Sequence, residues 1–545
     1  MNARTCAMTA VAVLTVFLRG ADGKTPPAIT TVEIGPNRAF VVNGRPFFPI
    51  MSWLQDAGNF KAVTACGMNA TAGYWPKSSG TKDVTEYLKL VEAAGLYGVM
   101  PFDPRLKGRP ALLGYIHSDE PDLPHLVSNA VITPAKHLKI NRRTPLWKLL
   151  DGTTHSWSVL DPLKGASITI KPKKKVTVSS LGVWLTVSKG LAVAKEMVFE
   201  GDGKEILRAT LAAKKGRQKF DLPGPSTFSE LKVTVTATYP GKNVWGSLGE
   251  IEGFDANGKN VLLAPPRNAP RMTPQQVAAK YKSIKAADPT RPVFVTFTGY
   301  FLPFFKKYSD AERGIYRLYV KSADVVGYDI YPIYGWNKPQ WIHLVHDGTK
   351  RLVELAGDRP VYAWIETSRG GQWTGPLKNQ KEVTPAHIRA EVWMAICRGA
   401  TAIGYFTHIW KPSYKQFGVP AENRKALAEI NAQITRLAPE ILAAEPKHPA
   451  TIQTDDGVKV DVMSRSAGNG MTIFAVNYDE RFKRTKAVIK VDGLQAGTKV
   501  IVVDENRTIT SQSGSFTDSF APLAVHIYRI GLASENADKS AGRTD

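Results

Sequence analysis

Three short apolar runs decide the fold: VVGYDI at residues 325–330, PVYAWI at 360–365 and AIGYF at 402–406. Each is too short for a helix and carries the β-branched and aromatic residues that suit a strand. Between them lie segments whose apolar residues recur at helical spacing, so strand and helix alternate. That alternation is the mark of βα units and a parallel sheet. Working outward, a further strand is expected at Pro292–Phe297. Before it, Thr273-Pro274-Gln275-Gln276 reads as an N-cap, a Pro at the first helical position and the start of a helix. Upstream the same pattern gives strands at Phe47–Ser52, Met68–Ala72, Tyr97–Pro101 and Leu112–His117, and downstream a last helix at Glu422–Ala438. Four βα units before an interruption and four after it make eight, the number that closes a parallel barrel. The link Phe102–Ala111 is too short for a full helix, so that unit is expected to be degenerate.

The interruption is all-β. Runs such as ASITI (166–170), LKVTVTATY (231–239) and GEIEGF (249–254) alternate with Gly, Asp and Asn turns, as in a β-sandwich. The C-terminal part repeats this style in MTIFAVNY (471–478) and AVHIYRI (524–530). The expected layout is therefore a signal peptide at 1–24, a (β/α)8 barrel at 26–124 and 271–440, a β-sandwich insert at 125–270, a C-terminal β-sandwich at 441–533, and a flexible tail at 534–545. Asn43-Gly44, near the start, is a strong hairpin signal.

Composition narrows the partners. Hydrophobic residues make up 43% of the chain, enough for a packed core, and its twelve Trp offer flat surfaces that can stack on sugar rings or fill a core. The formal charge of +23 would attract polyanions. No zinc-finger spacing, RNA-binding aromatic motif or basic helix accompanies it, so nucleic acid is not expected as a partner. The basic run at 171–175, KPKKK, lies among strand-type residues and suits a solvated strand edge. Arg4, the short apolar run Ala7–Leu18 and small residues near Ala21 resemble an export signal, which implies a secreted or periplasmic protein. That run is too short for a comfortable membrane span, and no other segment is long and apolar enough. Cys6 lies in the leader, and Cys66 and Cys397 are expected as buried thiols on barrel helices.

The chemistry is expected at the C-terminal ends of the barrel strands, where one face collects the functional side chains. The fourth strand runs into LLGYIHSDEPD and the seventh into PVYAWIETS, so Glu120 and Glu366 each follow an apolar run. Acetal hydrolysis needs such a pair, one carboxyl protonated to serve the leaving oxygen and one ionised to attack the anomeric carbon. A separation of about 5 to 5.5 Å predicts retention, and roughly 6.5 to 9.5 Å inversion. Asp119, Glu120 and Asp122 also suit the capping of a helix start. An ionisable group ending a buried strand, such as Glu366, is harder to explain structurally, because burial is costly.

These motifs resemble, in order, the large clan of retaining (β/α)8 glycoside hydrolases that includes the barrel β-galactosidases. VVNGRPFFPIMSW (41–53) resembles its opening and ALLGYIHSDEPDLP (111–124) its acid/base strand. DVVGYDIYPI (324–333), PVYAWIETS (360–368) and RGATAIGYFTHIW (398–410) are similar to its last three strands. The resemblance implies Glu120 as general acid/base and Glu366 as nucleophile. It also implies Tyr331 as the residue that orients the nucleophile, and Trp410 as an aromatic platform under the sugar. Where the clan usually has Asn before the acid/base, this chain has Asp119, which still accepts from a sugar hydroxyl but adds a negative charge. Trp364, Trp75 and His117 complete the expected substrate-binding set; no metal and no cofactor are implied. The insert resembles a discoidin or galactose-binding-like sandwich, which suggests carbohydrate binding and an oligo- or polysaccharide partner, and the positive charge hints at an anionic glycan beside a galactose-type one. The alternative is a catalytically silent carbohydrate-binding protein on a barrel scaffold.

Overall fold

The computed structural model describes residues 26–77, 80–468 and 470–531. The expected signal peptide, Cys6 and the 534–545 tail lie outside them. The central element is a closed barrel of eight parallel strands. They are β1 (Ile50–Trp53), β2 (Ala70–Ala72), β3 (Tyr97–Pro101), β4 (Leu112–Ile116), β5 (Val293–Thr298), β6 (Val325–Asp329), β7 (Val361–Glu366) and β8 (Ala402–Phe406). Pairing of β8 with β1 and of β4 with β5 closes the ring.

The first strand starts later than expected. Asn43 and Gly44, both at positive φ, turn Arg45–Phe47 back onto Phe40–Val42 in an antiparallel hairpin, which removes Phe47 from the barrel. Pro49 then separates the two strands. Between β3 and β4 there is only a 3-10 turn, Pro104–Leu106, as the short link requires. The helices are α1 (Phe60–Ala65), α2 (Val84–Ala93), α3 (Pro274–Ala287), α4 (His343–Ala356), α5 (Pro385–Cys397) and α6 (Ala421–Ile441). Between β5 and β6 only single helical turns form, Asp310–Arg313 and Tyr316–Tyr319 among them. Thr273 caps α3 and Gln276 returns the bond, so the Thr-Pro-Gln-Gln motif starts the helix where expected.

Side chains on each strand alternate between lumen and helix layer. On β7, Tyr362 and Trp364 fill the lumen, whereas Val361, Ala363 and Ile365 pack outward. These large rings fit because glycines lie beside them. A Cβ on Gly327 would sit 2.2 Å from the Tyr362 ring, and one on Gly404 2.1 Å from Trp364. Helix α5 is apolar nearly all round because it packs on both β7 and the C-terminal strand Gly470–Asn477, with Trp393 stacked on Phe474 at 5.4 Å. Cys66 and Cys397 are buried free thiols.

The C-terminal sandwich sets a three-stranded sheet (Thr451–Thr454, Thr485–Lys490, Ser515–Phe520) against a five-stranded one, with Ile473, Ile489, Phe516 and Tyr528 in the shared core. Leu123–Arg271 form a separate compact unit of two five-stranded antiparallel sheets around Ile170, Val183, Phe199 and Ile251. Its two ends are joined by a ladder between Pro124–Val127 and Arg267–Pro270. No helix among the described residues is long and apolar enough to cross a membrane.

The ring–glycine fit gives a stability prediction. Gly404→Ala is expected to destabilise the protein by about 1–3 kcal/mol, the usual cost of overpacking a filled core. Gly224→Ala, at a strand position with nothing within 4 Å and no positive φ, is expected to change little. Thermal unfolding of the two variants beside wild type checks this; equal melting temperatures would count against the fit.

Candidate active site

The segment after β4 carries the acidic motif, and its backbone is held from both sides. Asp122 is fully buried and accepts from the Thr298 amide at 3.0 Å, the Thr298 hydroxyl at 2.5 Å and the Tyr316 hydroxyl at 2.6 Å. Its own carbonyl accepts from Tyr308 at 2.7 Å. The 117–122 segment is thereby fastened to the end of β5 and to the turn that follows it. Burial pushes the Asp122 carboxyl up to about 7, against the pull of the three bonds it accepts. Two residues earlier, Glu120 sits at φ +47°, in the left-handed region. That conformation costs a non-glycine residue roughly 1–2 kcal/mol and persists only where surrounding contacts impose it.

Asp119 and Glu120 are half-buried at the barrel mouth. A third acid joins them there. Asp329 ends β6 in the same parity as Val325, which lies in the lumen core. Burial, the charges of Glu120, Asp119 and Asp122, and a hydrogen bond to Glu120 hold the Asp329 carboxyl well above the usual carboxylate range. A hydrogen bond between two carboxyls requires a proton, which Asp329 and Glu120 share. Sequence reading missed Asp329, although the signal was present: VVGYD ends in an acid just as VYAWIE does.

Glu366 ends β7 and is fully buried. Its carboxylate accepts from the Ile333 amide at 2.9 Å and the Tyr334 amide at 2.6 Å, and it is hydrogen-bonded to Glu391 of α5. Burial raises it to about 7, against the lowering effect of these bonds. The two expected catalytic glutamates thus have different fixed partners: Glu120 has Asp329, and Glu366 has the 333–334 loop and Glu391.

Aromatic residues wall the mouth. Tyr331 packs on Phe406 with ring centroids 5.0 Å apart, and Phe406 stacks parallel to Trp410 at 6.1 Å. Tyr414 closes on Trp410 at 5.3 Å. Trp364 lies beneath them in the lumen, donating from Nε1 to the Thr296 hydroxyl at 3.1 Å. Trp75, on the loop after β2, is 46% exposed. His117 does not join the cluster. It follows the lumen residue Ile116, so alternation turns it outward, where its Nε2 meets the Ser322 carbonyl at 2.9 Å. Burial lowers it to about 4, so it stays neutral. His408 is similarly tied, its Nε2 donating to the carbonyls of Trp53 and Leu54. Among the described residues no three or more His, Cys, Asp or Glu converge to hold a metal ion.

Asp122 makes a pH signature. Its carboxyl titrates near 7 when folded against an ordinary 3.8, so its contribution is fully present below the ordinary value and is lost as pH rises through about 7. Asparagine does not titrate. Any melting-temperature advantage of wild type over Asp122→Asn is therefore expected to shrink steadily between pH 4 and pH 8. A gap that stays constant over that range would contradict the assignment.

No protein-family model matches the chain, and no curated protein does. Solved structures match parts of it. A family 32 carbohydrate-binding module from C. perfringens NanJ, in complex with galactose, is 13% identical over 23% of this chain and 97% of its own, with a TM-score of 0.20. An Anoxybacillus α-amylase is 11% identical over 48% of this chain and 57% of its own, with a TM-score of 0.33. The α-amylase of Geobacillus thermoleovorans, complexed with acarbose, is 12% identical over the same shares, also with a TM-score of 0.33.

Proposed function

We propose that the chain is an exported retaining glycoside hydrolase, with Glu120 as general acid/base and Glu366 as nucleophile. One observation carries this reading. The mouth of a closed parallel barrel holds a carboxyl pair sharing a proton, Asp329–Glu120, and the neighbouring strand β7 ends in a carboxylate fixed by backbone amides. Residues 1–24 support export, and the +23 charge supports an anionic glycan, with galactose-type sugars as the other candidate.

In the first step the proton shared with Asp329 passes from Glu120 to the leaving oxygen as the glycosidic C–O bond breaks. The Glu366 carboxylate forms a bond to the anomeric carbon. Glu120, now ionised, takes a proton from water, whose oxygen attacks the same carbon and releases Glu366. The pair regains its proton, and the anomeric configuration is retained. Ile333 and Tyr334 amides orient Glu366 by donating to it, and Trp410 with Phe406 supplies a flat wall for a sugar face. No cofactor takes part.

The complete burial of Glu366 favours a second reading, a catalytically silent carbohydrate-binding protein. An activity screen on aryl glycosides and on neutral and anionic polysaccharides separates the two. Glu120→Ala is expected to lose about 10²- to 10⁴-fold, the range for a general acid, and Glu366→Ala at least as much. Variants as active as wild type would overturn the site assignment. Glycan binding without turnover, unchanged in both variants, would favour the silent protein.

Asp329 has its own signature in the pH profile. The alkaline limb of kcat/KM marks loss of the proton shared with Glu120, so Asp329→Asn is expected to move that limb to lower pH. An unmoved limb would remove Asp329 from the mechanism.

A further inference from the structure

Helix α5 contains a charged residue that its surroundings do not explain. Glu391 is fully buried, between the apolar residues Ile388, Val392 and Ala395 of the same helix. Among the described residues its polar partners are confined to Glu366, whose backbone amide reaches it only weakly. The one carboxyl it meets is Glu366, to which it is hydrogen-bonded. Two buried carboxylates side by side cannot both ionise, since a bare charge in such a place costs several kcal/mol by the general penalty for buried ions. The asymmetry between them decides where the proton sits. Glu366 already has two amide donors, from Ile333 and Tyr334, and these favour its ionised form. Glu391 has only the weak one.

We infer that Glu391 is a positioning residue that keeps a proton and donates it as a hydrogen bond to the Glu366 carboxylate, giving that group three donors in fixed directions. The inference rests on the reading of Glu366 as nucleophile. Burial, the Glu366 charge and the hydrogen bond between them all push the Glu391 carboxyl well above the usual range, in agreement with the geometry. The titratable groups facing the pair are Tyr328, whose ring lies on the helix side of β6, and Tyr334 in the loop after it. Both are pushed upward and stay neutral, so they bring no competing charge. The arrangement also links the site to the C-terminal sandwich. Glu391 and Trp393 share α5, and Trp393 is stacked on Phe474 of that domain.

Substitution by glutamine tests this directly, because its amide imitates a protonated glutamic acid. In the full chain, Glu391→Gln is expected to keep kcat within severalfold of wild type and to leave the acid limb of the pH profile in place. Glu391→Leu removes the third donor. It is expected to lower kcat at least tenfold with little change in KM, and to move the acid limb to higher pH. Equal behaviour of the two variants would overturn the inference. Infrared spectra with isotope-labelled glutamate give a readout that needs no substrate. One protonated-glutamate band present in wild type at neutral pH, distinct from those of Glu250, which burial pushes up to about 9, and of the Glu120–Asp329 pair, should vanish in Glu391→Gln. A band that persists would overturn the inference even if the glycosidase reading holds, and a band that vanishes sustains it even if no glycan is cleaved.

Discussion

The hydrogen bonds that Asp122 accepts from Thr298 and Tyr316 hold the barrel together where its sequence is discontinuous. The chain leaves the barrel after β4 and returns only at α3, so β4 and β5 are neighbours without a direct connection. Their ladder is short, with Tyr115 opposite Val293 and Ile116 opposite Phe294. Asp122 extends that seam past the strand ends. The same three bonds fix the backbone that carries Asp119 and Glu120, so closure of the fold and placement of the acidic motif are one event. Glu120, two residues before that anchorage, holds a left-handed backbone that local preference does not favour.

A second constraint governs the site: every carboxyl in or behind the mouth needs either a donor or a proton. Asp122 has three donors. Glu366 has two amides and the Glu391 hydroxyl. Asp329 and Glu120 share a proton. The acids are thereby sorted into neutral and charged members by their neighbours, which is the arrangement acid/base chemistry requires near neutral pH.

The barrel was legible because its signal is long-range and periodic. Alternating runs located the strand positions, most ends falling within a residue or two, and the shortness of Phe102–Ala111 foretold the missing helix. The first strand was misread at its start because Phe47 continues the apolar run of Pro49–Ser52; only the Asn43-Gly44 turn assigns it to the hairpin. The site was legible less evenly. A strand-end acid is visible in sequence, but its direction depends on which donors wait for it, and those are backbone amides with no sequence signature. His117 illustrates this, since one residue of alternation turns it outward to Ser322. Glu391 was invisible for a related reason: two residues after Arg389, a glutamate reads as a solvent-facing residue until a second layer covers that face.

The pairing of ring with glycine in the lumen has an evolutionary consequence. Trp364 can occupy its place only while position 404 lacks a side chain, and Tyr362 only while 327 does. Neither partner can change first without a clash or a void. In any lineage descended from this chain the two positions of each pair must therefore drift together or stand still, and substitution there proceeds by rare joint events rather than by single steps.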